Sequence, residues 1–306
     1  MRIYPRSRAW LALLALILAL PSPAAEPAEI SVPKKLLKKL KSFEPSAALY
    51  LADRDKYLIA SDDTDEASTP MLFLMNDRGE VEKDPVLFEG VGQLTDIESL
   101  STDGNWIYAL ASQSRNKKGK VLPERNLLVR GKLAGERTFV AEAVELRPRL
   151  LAALAKASDP TLQKLKGQFA TLLEAESSFV RRGKFYAGLK APQPTTGRAL
   201  VLELGNVDDL FGDGIPAVRV AFEVDLGKGN LLSDLIVTEH GFLLASTDGK
   251  GGGNLWLYDE KTGTVEPRRS YPAACPEGLA TGKSAGEVLV VFDQGEGNAL
   301  FTRERI

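Results

Sequence analysis

"TDIESLSTDGNWIYALASQSRN", Thr95 to Asn116, decides the fold. An acidic opening with Asp96 and Glu98 leads into a short strand, and Asp103-Gly104-Asn105 marks a turn. Trp106 to Ala111 then forms an apolar strand, and a polar string closes on Arg115. Two β-favouring runs around a Gly-containing turn make an antiparallel hairpin.

The phrase recurs. "YLIASDD" (57–63), "YALASQS" (108–114), "YAGLKAP" (186–192), "FLLASTD" (242–248) and "VLVVFDQ" (288–294) stack without gaps. Each follows a turn, and before each turn lies a shorter strand: "PSAALYL" (45–51), "DIESLS" (96–101), "EAESSFV" (174–180), "LSDLIV" (232–237) and "CPEGLA" (275–280). A third strand often follows, as in "PMLFLMN" (70–76), "NLLVRGKL" (126–133), "RALVLELG" (198–205) and "NLWLYD" (254–259). Closing positions Ser61, Ser112, Lys190, Ser246 and Phe292 are 51, 78, 56 and 46 residues apart. Strand units at such intervals bury their faces by stacking on one another, which predicts an all-β fold, a β-propeller. Five blades are visible, and a sixth has room around 208–230 or from the two termini.

The long interval holds an insertion, 147–173. Leu150, Leu151 and Leu154, then Leu162, Leu165, Phe169, Leu172 and Leu173, recur at helical spacing around Ser158-Asp159-Pro160. An Asp cap followed by proline in the first turn starts the second of two short helices.

The first 25 residues read as a secretory signal peptide. Arg2, Arg6 and Arg8 precede an apolar run from Ala9 to Leu20 and a small-residue exit at Pro21–Ala25. The run is too short to span a hydrocarbon core of roughly 30 Å. The signal and a single cysteine place the protein in the periplasm or outside the cell. Residues 26–44 read as a linker with a short basic helix in "VPKKLLKKLKS" (32–42), and 45–306 as the propeller domain. Without the signal's three arginines, 36 basic residues face 41 acidic ones, a net charge of −5. Such a chain has no general electrostatic reason to bind nucleic acid.

The residue inventory narrows the chemistry. His240 is the only histidine, which excludes zinc sites built on several imidazoles. "GLATGKS" (278–284) has three residues between its glycines rather than four and precedes a strand, so it is no phosphate loop. What remains is a set of polar residues at equivalent points of successive repeats, positioned to converge on a central channel. One group opens the first strands: Asp96, Glu98, Glu176 and Glu277, with Ser233 in the fourth repeat. The other follows the second strands: Asp62, Asp63, Ser112, Ser114, Arg115, Lys190, Asp248 and Asp293. Converging carboxylates without histidine suit a hard cation such as Ca²⁺. Paired with Arg115 and Lys190, they could equally lock blades together.

Residues 96–133 resemble the D-x-E-G, strand, S-H-S-R, basic loop, P-x-R pattern of the bacterial family called domain of unknown function 3616. "EAESSFVRRGKFYAGLKAPQPTTGRALVLEL" (174–204) is similar to its later phrase, and "LSDLIV" and "CPEGLA" to its closing ones. The resemblance covers about 45–306 and implies a propeller related to phytase-like esterases, without a settled activity. It places the family's acidic residues on Asp96, Glu98, Glu176 and Glu277, and its Ser-x-Ser-Arg on Ser112, Ser114 and Arg115. Gln113 stands where the family often has histidine, Ser99 and Ser177 where glycine is usual, and Lys190 for arginine.

These readings predict an exported propeller that binds a small anionic ligand or a protein partner through a polar, acidic channel. The alternatives are a Ca²⁺-assisted phosphoesterase or esterase, and an interaction scaffold built on 147–173.

Overall fold

The computed structural model describes residues 26–306 except for Asp63, Asp213, His240 and residues 296–298. The export signal expected over 1–25 and the residues Asp63 and His240 therefore lie outside the described residues.

The chain opens with β1 (Ala28–Glu29) and the single-turn α1 (Lys34–Leu37). The first blade is β2 (Pro45–Leu51), β3 (Lys56–Ser61), β4 (Met71–Met75) and β5 (Val86–Glu89). The second is β6 (Ile97–Thr102), β7 (Ile107–Ala111), β8 (Leu127–Ala134) and β9 (Thr138–Glu145). Two helices follow, α2 (Leu146–Lys156) and α3 (Pro160–Leu172). The third blade is β10 (Glu174–Arg181), β11 (Lys184–Ala191), β12 (Arg198–Asn206) and β13 (Arg219–Asp225), with α4 (Val207–Phe211) before its last strand. The fourth is β14 (Leu231–Thr238), β15 (Gly241–Thr247), β16 (Gly253–Asp259) and β17 (Thr264–Tyr271). The fifth is β18 (Cys275–Thr281), β19 (Glu287–Asp293) and β20 (Leu300–Arg305), completed by β1 pairing antiparallel with β20.

Among the described residues there are thus five blades. No sixth forms around 208–230, which supplies α4 and the outer strand β13, and the two termini meet inside the fifth blade instead. The segment 26–44 is correspondingly more than a linker: β1 belongs to the sheet, and Ile30, Leu36 and Phe43 are buried in the core. The outer strands β5 and β9 also pair in parallel, fusing the first two blades into one eight-stranded sheet.

Why the second strands are apolar nearly throughout follows from period-two alternation between two buried faces. In β3, Leu58 and Ala60 enter the cluster shared with the second blade, while Tyr57 and Ile59 enter the one shared with the fifth. In β15, Phe242 and Leu244 meet the third blade, whereas Leu243 and Ala245 meet the fifth. Five apolar clusters result, one in each seam. The seam between the second and third blades also takes Leu146, Leu150, Leu154, Leu162, Leu165 and Phe169 from α2 and α3. Asp159 caps α3, accepting from the backbone N–H of Thr161 and Leu162.

The first strand of each blade faces the axis. Contacts run from β2 to β6, β10, β14, β18 and back to β2, closing the ring. The last seam is tight at Gly278, where a Cβ would stand 2.8 Å from the Cα of Ala47. Because β1 completes the fifth blade, deleting residues 26–31 removes both its pairing with β20 and the buried Ile30. We expect that deletion to lower the thermal midpoint by about 5 °C or more. An unchanged midpoint would show that the ring closes without β1.

Candidate functional site

Each inner strand carries one extra residue near its start. Pro45 pairs with Ser61 and Ala47 with Ala60, leaving Ser46 as an extra residue. The same step leaves Glu98 extra in β6, Glu176 in β10, Ser233 in β14 and Glu277 in β18. These are β-bulges, which turn a side chain out of the alternating pattern. Five blades therefore contribute serine, glutamate, glutamate, serine and glutamate at one level of the ring.

The two serines are used for closure. Ser46 donates to the carbonyl of Ile97 at 2.5 Å, and Ser233 to that of Pro276 at 2.5 Å. Each hydroxyl thus binds the residue preceding the next blade's bulged glutamate. One position further on, Ser99 accepts from the N–H of Ser178 (2.8 Å), and Asp234 accepts from that of Leu279 (2.7 Å). Ser99 therefore bridges the second and third blades.

The glutamates belong to an acidic assembly. Carboxylate oxygens of Asp62, Asp96 and Glu98 lie within 4.8 Å of one another. Burial pushes Glu98 well above the ordinary carboxylate range, and the charges of Asp62, Glu176 and Asp96 add to it against the pull of Lys190. Asp62 is raised by burial and by Asp96, Glu277 and Asp293, with the Ser46 hydroxyl opposing. Glu176 is raised by burial, with Glu174, Glu277 and Asp62 outweighed only in part by Lys190. Glu277 is pushed up to about 7 by burial, Asp293 and Glu174, again against Lys190. The residues that influence one another come from the first, second, third and fifth blades.

Two cations are built in. Lys190 is itself a bulged residue, on β11, and its Nζ stands 3.4 Å from Glu176 Oε2 and 3.8 Å from Glu174 Oε1. Burial works against its charge, yet Glu176, Glu277, Glu174 and Glu98 prevail and hold its pKa above the usual lysine value. Arg125 sends Nη1 to Asp96 Oδ2 (2.8 Å) and to Ser114 Oγ (3.3 Å). Asp96 takes a positive φ of 59°, which sets its backbone carbonyl to accept from Ser112 N–H at 2.9 Å. Ser112 and Ser114 hydroxyls meet at 2.8 Å.

Unsatisfied polar atoms concentrate in the same region. Asp62 Oδ1, Gln113 Oε1, Arg125 Nε, Asn126 Oδ1 and Glu176 Oε1 are all buried without a hydrogen-bond partner. Such atoms are scarce in folded proteins and mark places where water or a ligand completes the structure.

Of the sequence-derived candidates, Asp96, Glu98, Ser112, Ser114, Glu176, Lys190, Glu277 and Asp293 are brought together. Arg115 is not in the ring: it is exposed, donating through Nε to the Ala170 carbonyl at the end of α3 and through Nη1 to Gly119 in its own loop. Arg147, buried beside it, also binds the Ala170 and Leu173 carbonyls. Asp248 shapes its own turn, accepting from Lys250 and Gly252 N–H. Gln113 is structural, its amide donating to the Ala111 and Leu127 carbonyls across β7 and β8. Sequence reasoning missed Ser46, Glu174 and Arg125. Stacking "PSA", "IES", "AES", "LSD" and "PEG" by their second residue would have found Ser46.

No family model and no curated protein matches the chain. Among solved structures it is similar to a proposed glycoside hydrolase from Parabacteroides distasonis, at 12% identity over 92% of this chain and 93% of that one, with a TM-score of 0.49. It is similar to a proposed glycosidase from Bacteroides thetaiotaomicron at 14% identity, over 86% of each chain, TM-score 0.49. The WD40 repeats of RRP9 match at 7% identity over 91% of this chain and all of that one (100%), TM-score 0.43. These likenesses concern the fold alone.

The raised carboxylates set a pH dependence. A carboxyl whose folded pKa exceeds its unfolded value binds its proton more tightly when folded, so its contribution is present at low pH and lost as pH rises. For Glu277 that loss runs from its ordinary 4.5 up to about 7. In chelator we expect the thermal midpoint to fall between those pH values, and the fall to be reduced in Glu277→Gln. A midpoint that rises across that window would contradict the assignment.

Proposed function

We propose that the channel binds one hard divalent cation of the calcium class. Its first contacts are Asp62, Asp96 and Glu98, and Glu176 and Glu277 complete the ring. The observation that carries this reading is the repeated bulge: three of five blades present a glutamate at one level, and two buried carboxylate oxygens nearby have no partner. The donor set is oxygen only, which suits Ca²⁺ and disfavours soft metals. Cys275, the one thiol, is pushed up to about 11 by burial and by Glu277, Asp248 and Asp293, so it stays protonated and is a poor ligand. With the export signal read over 1–25, the protein is a periplasmic or secreted propeller that uses this cation to hold a ligand at the channel mouth.

Metal-assisted ester hydrolysis is the second reading. Arg125 beside the cation's ligands favours it, because a Lewis-acidic ion and a guanidinium can share charge that develops on an ester oxygen. Loss of hydrolysis of p-nitrophenyl esters in Glu98→Gln would support it, and equal rates in the variant would end it. The scaffold reading has less support. The apolar faces of α2 and α3 are spent on the core, and among the described residues Leu172 is the one large apolar side chain the pair exposes.

Binding to the folded state must stabilise it by RT ln(1 + [L]/Kd), about 2.7 kcal/mol at a hundredfold excess over Kd. For a chain of this size we expect Ca²⁺ at that excess to raise the thermal midpoint by about 5 °C relative to chelator. Glu176→Gln and Glu98→Gln should each abolish most of that gain, while Asp248→Asn retains it. No Ca²⁺ effect on the wild-type chain would remove the cation from the proposal.

A further inference from the structure

We infer that the hairpin Arg115–Val121 together with Arg125 recognises the phosphoryl group of a ligand seated over the channel cation. The inference rests on the cation reading for the ligand's second anchor, and on independent geometry for the first. The hairpin "RNKKGKV" departs directly from the site, since Ser114 contacts both Asp96 (3.4 Å) and Arg125 (3.3 Å). Lys117 follows Ser114 by three residues, a chain reach of about 10 Å.

The hairpin is preformed. Arg115 and Val121 bridge in antiparallel fashion, and Asn116 N–H donates to the Lys120 carbonyl at 2.9 Å. The Asn116 side chain accepts from Lys118 N–H (3.0 Å) and Lys120 N–H (2.9 Å), and Gly119 turns the tip with φ of 74°. Arg115 ties the loop internally through Gly119 and externally to α3 through Ala170. The backbone is therefore fixed, while Lys117, Lys118 and Lys120 stand exposed with no ion pair among the described residues. The carboxylates near the base of the hairpin do not pair with these three ammonium groups. Asp96 instead takes Arg125, and Glu176 takes Lys190.

Arg125 supplies a directional contact. Nη1 is engaged with Asp96 and Ser114, and Nε is buried with no partner, an N–H that needs an acceptor. A phosphoryl group carries up to two negative charges and three acceptor oxygens, enough to meet Nε, the cation and a lysine at once. A single carboxylate carries one charge and two oxygens, fewer than this set of donors can satisfy. The carboxylate-rich channel repels any anion until a cation enters, so phosphoryl binding should depend on Ca²⁺.

Phenyl phosphate, benzoate and benzyl alcohol share a ring and differ in the group that tests the inference. Ligand-observed NMR titrations with the mature chain should show phenyl phosphate binding in Ca²⁺, about tenfold tighter than benzoate, with benzyl alcohol not binding. The surface variant Lys117→Gln/Lys118→Gln/Lys120→Gln should weaken phenyl phosphate by about tenfold and flatten its salt dependence, while the Ca²⁺-induced rise in thermal midpoint persists. Arg125→Lys, which keeps the charge but not the fork, should lose the preference for phosphate over carboxylate. Unchanged affinity in the triple variant, or equal binding of benzoate, would overturn the inference. Binding that survives chelator yet falls in the triple variant would uphold the hairpin and remove the cation, so the two failures are distinguishable. Lysine-dependent binding to phosphatidylserine vesicles without any binding of phenyl phosphate would also overturn it, in favour of a membrane surface.

Discussion

An inner strand meets the axis of a propeller edge-on, and this limits what the channel can contain. Residues in regular pairing point alternately to the two neighbouring blades: Ala47 enters one seam and Ala48 the other. Regular strands would therefore line the axis with little besides backbone. One extra residue per strand changes this, because it falls outside the alternation and is turned out of the sheet. A serine placed there has a hydroxyl to donate, and both serines give it to the next blade's carbonyl. An ionised glutamate has no proton to give. Placed in the same position, it can only accept, and the backbone edge beside it already contains acceptors.

That asymmetry creates a tension which the apolar seams restrain. Carboxylates buried among like charges oppose the compact state, and their raised pKa values express this opposition. The restraint comes from side chains far from the axis. Each of the five seams buries an apolar cluster, and β1 from the other end of the chain completes the last blade. Strain of this kind, sustained by surrounding structure, is common where a protein holds a ligand.

Most of the architecture was legible because burial on two faces leaves a strong mark on sequence. "YLIAS", "YALAS" and "FLLAS" are apolar at nearly every step, which a one-faced strand would not be. The outer strands were invisible for the opposite reason. β17, "TVEPRRSY", is largely exposed and contains a proline, so no alternation or apolar run announces it. The two-residue β1 carries no periodicity at all, and its place in the fifth blade follows only from the circular closure of the ring. The site was half legible. Glutamates that recur at equivalent positions could be aligned, but Arg125 comes from a loop before β8 and has no counterpart in other blades. Arg115 was misplaced because its neighbour Ser114 does reach the site, while its own side chain turns toward α3.

The two internal cations then divide the ring between them. Lys190 stands closest to Glu176 and Glu174 and also acts on Glu277 and, more weakly, on Glu98. Arg125 pairs with Asp96 alone of the three close carboxylates, and Asp62 and Glu98 have no ion pair among the described residues. Asp62 has a buried oxygen with no partner, and each of the pair raises or accompanies the other's proton affinity within a cluster spanning 4.8 Å. At neutral pH this side has two ways to relieve its repulsion: take up protons, or take up an external cation. Protons would leave the donors without the geometry that three converging carboxylates provide, whereas a hard cation uses all of them at once. Because Lys190 stands nearest Glu176 and Glu174, the proposed ion would take the Asp62, Asp96 and Glu98 side of the ring.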